Sequence, residues 1–136
     1  MYLIGDIGNT DIKICLFNNN LKLVKKVRLK TILLNKNYLS KNLKFIKKYK
    51  SKIIKVLISS VVPVAYKNIK MFIEKSIKIK CVELKKLKLN NLLKIKVNKK
   101  QIGSDRLANA ISVIDKKRNF IVVDFGTATN FDVVIK

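Results

Sequence analysis

The chain has 136 residues, 49% of them hydrophobic, and a formal net charge of +23. That is enough apolar material for one domain with a real core, which argues against a disordered tail, and no apolar run approaches the roughly 20 residues of a membrane-spanning helix. Histidine is absent, which removes His-based triads, proton shuttles and metal sites and leaves Asp, Glu, Lys and Tyr for acid–base work.

In chain order, residues 2–7 predict an apolar strand and Gly8-Asn9-Thr10 a turn. Residues 11–17 alternate Ile12, Ile14 and Leu16 against Lys13 and Cys15, the period of a half-buried strand. Asn18-Asn19-Asn20 turns the chain again, and 21–28 alternates Leu21 and Leu23 with Lys22, completing an antiparallel three-strand meander. Leu39, Leu43, Ile46 and Tyr49 stand at helical spacing within 37–50. Residues 53–59 predict a buried strand that leaves the sheet through Ser59-Ser60-Val61-Val62-Pro63, where the single proline stops it. A helix over 64–75 and a strand over 78–83 follow; 84–100 is too lysine-rich to show a period. Ser104 predicts an N-cap for a helix running to about Lys116 through Leu107, Ala108, Ala110, Ile111 and Ile114. Strands over 120–124 and 129–135 close the order around Gly126-Thr127.

The last segment repeats the first. Tyr2-Leu3-Ile4-Gly5-Asp6-Ile7-Gly8-Asn9-Thr10-Asp11 parallels Phe120-Ile121-Val122-Val123-Asp124-Phe125-Gly126-Thr127-Ala128-Thr129, with Asp6 and Asp124 118 residues apart. Two such units facing one cleft would present two phosphate loops to it. The division expected is a first domain over 1–118 and the start of a second over 119–136, whose hairpin alone cannot close a sheet and would leave an exposed edge.

All four glycines fall in three short segments, Gly5 to Thr10, Gly103 to Arg106, and Asp124 to Thr127, and five of the eight acids, Asp6, Asp11, Asp105, Asp124 and Asp132, fall in or beside them. One such segment would be only a capped turn; three together point to positions where backbone shape and negative charge matter. The Gly8-Asn9-Thr10 tip offers backbone N–H groups and a hydroxyl to a phosphate, with Gly8 allowing close approach. Asp6 suits Mg²⁺ or its water, Lys13 reaches toward a phosphate or is one surface lysine among many, and Asp124 suits a cation. Asp105, at a helix N-terminus where the dipole favours negative charge, is either the acceptor of a proton from an attacking hydroxyl or a first-turn acid only. Arg106 clamps a substrate carboxylate or forms a surface ion pair. Asp11 and Asp132 read as turn or strand-edge residues. Ser59 and Ser60 are a strand exit or line the cleft.

Only three of the 31 basic residues are Arg. Arginine dominates bidentate base and phosphate contacts, so the lysines read as solvated surface with nonspecific polyanion binding at low salt. Cys15 and Cys81 lie far apart and outside any C-x-x-C pair, against a zinc site or a required disulfide. The start at Met1 lacks the basic flank and long apolar stretch of a secretion signal, so the expected location is the cytoplasm.

At these residues the sequence resembles the type III pantothenate kinase family of the actin-like ATPase superfamily. The matching segments are Asp6-Ile7-Gly8-Asn9-Thr10, Ser59-Ser60-Val61-Val62-Pro63, Gly103-Ser104-Asp105-Arg106-Leu107-Ala108-Asn109-Ala110, and Val122-Val123-Asp124-Phe125-Gly126-Thr127-Ala128-Thr129-Asn130-Phe131-Asp132. They come in the family's order. The resemblance implies an α/β, ribonuclease H-like fold with a mixed sheet, and ATP-dependent phosphorylation of pantothenate, the first step toward coenzyme A. It implies Asp105 as proton acceptor and Gly103, Ser104, Asp105 and Arg106 at pantothenate. ATP would be held by Asp6, Ile7, Gly8, Asn9, Thr10, Asp11, Ile12, Lys13 and Thr127. The implied cofactors are Mg²⁺ with ATP, and K⁺ or NH₄⁺ at Asp124. A homodimer is also implied.

The family usually carries a Tyr and an Asn-Pro stretch shortly before Gly103; Lys96-Val97-Asn98-Lys99-Lys100-Gln101 stands there instead. Its members are about twice this length. Three alternatives follow: a non-catalytic remnant, one half of a split kinase with a separate second-half chain, or a basic nucleic-acid-binding protein.

Overall fold

The structure is a computed structural model that describes residues 1–98, 101–126 and 128–135. It contains two compact units, residues 1–84 and 85–136.

The first unit is built on a five-stranded mixed sheet. β1 (Tyr2–Ile7), β2 (Asp11–Phe17) and β3 (Leu23–Lys30) form the antiparallel meander; β4 (Lys55–Ser60) and β5 (Cys81–Glu83) run parallel to β1. The order across the sheet is β3-β2-β1-β4-β5. α1 (Lys36–Asn42), α2 (Lys44–Lys48) and α3 (Pro63–Ile77) supply the connections.

Strand alternation divides this sheet into two unlike faces. Leu3, Ile7, Ile12, Ile14, Leu16, Val56 and Ile58 are all at most 1% exposed and form one core with Leu39, Leu43 and Ile46 and with Ala65, Ile69, Ile73 and Ile77 of α3. Each such side chain stabilises the fold by roughly 1.5–3 kcal/mol. Gly5 lies on this face in a tight space: a Cβ would sit 3.2 Å from Ile14 Cδ1 and 3.3 Å from Ile58 Cγ1, so those side chains would have to shift. The other face carries Asp6, Asp11, Lys13 and Ser59.

Several expected boundaries move, each for a local reason. The third strand begins at Leu23, not 21, because Asn18 Oδ1 accepts from the N–H groups of Asn20 and Lys22, lengthening the turn, and Leu21 takes a left-handed φ of 58°. Leu21 and Leu23 are 71% and 53% exposed; Leu29, at 1%, is the buried residue of this strand. The single helix expected over 37–50 is two, parted at Leu43 (φ −108°, ψ 19°), a bend that accompanies full burial of both Leu43 and Ile46. Pro63 starts α3 at its first position, where a missing N–H costs nothing. Lys78 caps that helix in the left-handed region, so the following strand is only Cys81–Glu83.

In the second unit, α4 (Ser104–Ser112) packs on a hairpin of β6 (Phe120–Phe125) and β7 (Thr129–Val134). The expected N-cap, Ser104, is the first helical residue, and Gly103 occupies the cap. The helix stops four residues before Lys116. Ser112 Oγ donates to the Asn109 carbonyl at 2.7 Å, and Asp115 accepts from the Lys117 N–H at 2.7 Å and Arg118 Nε at 2.9 Å. Side chains that bond the backbone locally compete with helix continuation. Among the described residues of 84–100 the only regular element is a 3₁₀ turn over Leu84–Lys86. No helix among the described residues is long and apolar enough to cross a membrane.

Candidate functional site

The first group of site residues lies at the C-terminal end of β1. The turn after Ile7 is closed by the Gly8 N–H donating to the Asp11 carbonyl at 2.9 Å. That proton is therefore spent inside the turn and is not offered to a phosphate, contrary to the sequence expectation. Gly8 is required for a different reason: a Cβ there would meet the Asp11 carbonyl oxygen at 3.2 Å. Thr31 holds the turn from outside, its Oγ1 donating to the Gly8 carbonyl at 2.8 Å and its N–H to the Thr10 carbonyl at 3.0 Å. Asn9 and Thr10 are exposed at the tip, and the Asn9 N–H has no backbone acceptor among the described residues. The turn thus presents Asn9 and Thr10, on a base fixed by Gly8 and Thr31. Nothing in the sequence pattern marked Thr31, which arrives from the end of β3.

Beside this turn, Asp6 and Lys13 are cross-strand partners, with Lys13 Nζ 3.6 Å from Asp6 Oδ2 and both side chains about half exposed. Opposite charges directly across an antiparallel pair attract weakly at such exposure, so either group remains free to turn to a ligand. Ile7 and Ile12 are fully buried and serve as anchors of the turn, with no face toward solvent. Asp11 is held by Arg28 Nη2 at 2.6 Å and Lys30 Nζ at 3.0 Å. These two cations, the Arg28 hydrogen bond foremost, bring its carboxyl down to about 2. On β4, register sets Ser59 beside Asp6. Ser59 is buried and its Oγ has no hydrogen-bond partner among the described residues, whereas Ser60 Oγ accepts from the Val62 N–H at 3.1 Å and shapes the strand exit.

The second group lies within residues 85–136. Asp105 is in the first turn of α4, half-buried, and its Oδ1 accepts from the Arg106 N–H at 2.8 Å. Arg106 turns to β7: Nε donates to Asp132 Oδ1 at 2.7 Å, and Nη2 bonds the same oxygen. Asp132 is 8% exposed, and its Oδ2 has no partner among the described residues. The reading of Asp132 as a turn or strand-edge acid missed this role. The Asp132 hydrogen bond, the largest influence, raises the Arg106 pKa further. Ser104 is 1% exposed, and its Oγ has no partner among the described residues. Asp124 shares the inward face of the hairpin with Asp132 and sits opposite Asn130; Asn109 Nδ2 approaches its Oδ2 at 3.4 Å. Asn109 and Asp132 stood in the quoted motifs without a role, and only the packing of α4 on the β6–β7 hairpin reveals one. Thr127, expected at ATP, lies outside the described residues. Among those described, no group of three or more His, Cys, Asp or Glu is assembled.

A meander continued by parallel strands, with acid-and-glycine turns at strand ends, defines a mixed-sheet α/β protein consistent with the actin-like ATPases. The sequence model for type III pantothenate kinases matches residues 2–136, and the chain belongs to that family. It is 56% identical to a type III pantothenate kinase of Pelagibacter ubique over 136 residues, all of this chain and 55% of that protein. It is 36% identical over 140 residues to one of Syntrophus aciditrophicus, and 34% over 141 residues to one of Desulforapulum autotrophicum. These alignments take in 98% of this chain and 55% and 53% of the relatives. The chain spans about half the length of the curated relatives it matches.

Proposed function

We propose that this chain serves in the ATP-dependent phosphorylation of pantothenate to 4′-phosphopantothenate, the first step of coenzyme A biosynthesis. The observation that carries this reading is the family match over residues 2–136, which includes every acid-and-glycine segment. In the proposed reaction the pantothenate hydroxyl attacks the γ-phosphorus, its proton passes to the Asp105 carboxylate, and ADP leaves. Phosphoryl transfer asks the protein mainly for positioning and charge neutralisation. Gly103, Ser104 and Arg106 hold pantothenate beside Asp105, with Asp132 steadying the Arg106 fork. Residues 6–13, with Thr127, hold ATP; within that stretch Ile7 and Ile12 act as the buried anchors.

Asp6, half exposed beside the Asn9–Thr10 tip, fits a Mg²⁺ ligand, and the ion would neutralise phosphate charge there. Asp124 fits K⁺ or NH₄⁺: its carboxylate would supply the anionic oxygen, and its neighbours across the strand and on α4 are the neutral residues Asn130 and Asn109, with no cation paired to it among the described residues. We assign α4 to an actin-like domain over 1–118 and the β6–β7 hairpin to the start of a second, over 119–136. The working assembly is a cytoplasmic homodimer.

A second reading rests on the open face of that hairpin, where Ile121, Phe125, Phe131 and Val133 are 64–82% exposed. This face suits a polypeptide corresponding to the half of the relatives beyond the match, continuous with this chain or separate. A non-catalytic remnant retaining phosphate affinity is the limiting case. The +23 charge keeps a nucleic-acid reading on the table; it predicts steep salt dependence indifferent to Asp105→Asn.

The test is pantothenate phosphorylation by the 136-residue chain with ATP, Mg²⁺ and K⁺, alone and with the second half of a relative supplied. Activity is expected, with Asp105→Asn lowering kcat by roughly 10²–10⁴-fold. A folded chain inactive under both conditions, or an unaffected Asp105→Asn variant, would overturn the kinase reading.

A further inference from the structure

Away from the site residues, the helical side of the first unit holds an open cavity of about 530 Å³ between α1–α2 and α3. On α3 the stripe at Ile69, Ile73 and Ile77 is buried in the core, while the neighbouring stripe at Asn68, Met71, Phe72 and Lys75, which recurs at i, i+3, i+4 and i+7, lines the cavity. The floor is apolar: Leu39, Phe72 and Met71, the last 54% exposed. The rim carries Lys36, Lys47 and Lys75, from three different helices. None of the three has an ion pair or hydrogen bond among the described residues, and no acid lines the cavity. Elsewhere acids do pair with cations: Asp6, Asp115 and Asp132 each hold one, and Asp11 holds two.

We propose that this groove binds a small organic anion with an apolar body, its phosphate or carboxylate held by Lys36, Lys47 and Lys75 and its hydrocarbon part laid on Leu39, Met71 and Phe72. The volume lies in the range of small-ligand pockets, and an apolar floor with a few converging polar groups is their usual composition. Ser40 and Asn68, also on the lining and without a side-chain partner, add a hydroxyl and an amide for orientation. The charge argues against a second copy of this chain: at +23 it would bring cations to a rim that already holds three. The cavity involves none of residues 6–13 or 103–106, so this inference stands or falls apart from the kinase reading.

The test uses the whole chain at physiological salt, with octyl phosphate as probe and inorganic phosphate and 1-octanol as controls, followed by ¹H–¹⁵N chemical-shift mapping. Octyl phosphate is expected to saturate with shifts centred on Leu39, Ser40, Met71 and Phe72, and to bind more tightly than either control. Lys36→Gln/Lys47→Gln/Lys75→Gln should weaken it by about tenfold or more, each exposed ion pair adding modestly. Lys22→Gln/Lys25→Gln/Lys26→Gln, an equal loss of charge away from the cavity, should stay within about twofold. Met71→Glu, at an exposed position that folding tolerates, should abolish binding. Shifts scattered over surface lysines, equal losses in the two triple variants, or binding of an acidic helical peptide in place of octyl phosphate would each overturn the proposal.

Discussion

Between Tyr2 and Phe17 the chain forms a hairpin whose apolar face is sealed; between Phe120 and Val134 it forms one whose apolar face is open. The sequences run in parallel; both pairs of strands begin at matching positions, and only the second strand ends differently, β7 stopping one residue short of the match to β2. In the first, Leu3, Ile7, Ile12, Ile14 and Leu16 are at most 1% exposed, because β3 and β4 flank the pair and three helices cover it. In the second, Ile121, Val123, Phe125, Phe131 and Val133 face outward, and the hairpin is a sheet by itself. The turns differ too. Gly8 N–H reaches the carbonyl of Asp11, three residues on, while Gly126 N–H reaches that of Ala128, two on. The shorter turn slips the second register by one residue, so Asp6 faces Lys13 while Asp124 faces Asn130. One pattern thus yields an acid with a lysine opposite and an acid among amides. The pattern specifies strand, turn and strand; burial and electrostatic setting come from whatever packs around them.

The largest effect expected from breaking this comparison is in the core. Ile14→Ala should cost about 2–5 kcal/mol in urea unfolding, whereas Phe125→Ala should change stability by no more than about 0.5 kcal/mol. A Phe125→Ala cost near that of Ile14→Ala would show the second face to be covered in solution. Next in size is Gly5→Ala, where the added methyl meets Ile14 and Ile58; roughly 1–3 kcal/mol should be lost to overpacking. Its counterpart Val123→Ala, on the open face, should be near neutral.

Within the second unit, Arg106→Ala leaves the buried Asp132 carboxylate without its cation and should cost about 1–3 kcal/mol. Asp132→Asn, which removes the charge itself, should cost less. A double-mutant cycle giving no coupling between Arg106 and Asp132 would contradict the pair described here.

The smallest effect is a pH dependence in the first hairpin. Arg28 and Lys30 lower the Asp11 carboxyl from 3.8 to about 2, so folding favours its charged form. That contribution is complete above the unfolded value of 3.8 and is lost as pH falls through about 2. Asp11→Asn should therefore flatten part of the acid limb of stability between pH 4 and 2. An unchanged acid limb would mean these exposed ion pairs contribute nothing measurable.

Much of the fold is legible without coordinates. Alternation in 11–17 and the apolar run before Asp6 mark β1 and β2 because strand period and burial coincide there. Legibility fails where side chains bond the backbone locally: Asn18 delays β3, and Ser112 and Asp115 end α4 early. It fails also in the lysine-rich 84–100, where no period survives. At the site, the clustered glycines and aspartates are visible as types out of place in a Lys/Ile/Asn-rich chain. Their partners are not. Thr31, Arg28, Lys30, Asn109 and Asp132 come from other elements and carry no local signal of the contact they make.

By itself, then, the sequence determined the order of the elements, the repeated acid-glycine turns and the family, since each is written in short-range pattern and motif spacing. Tertiary structure alone decided that Thr31 holds the Gly8 turn, that Asp132 holds Arg106, and that one hairpin is sealed while its copy stays open. Those outcomes depend on which residues distant in the chain arrive alongside, and no local period encodes that.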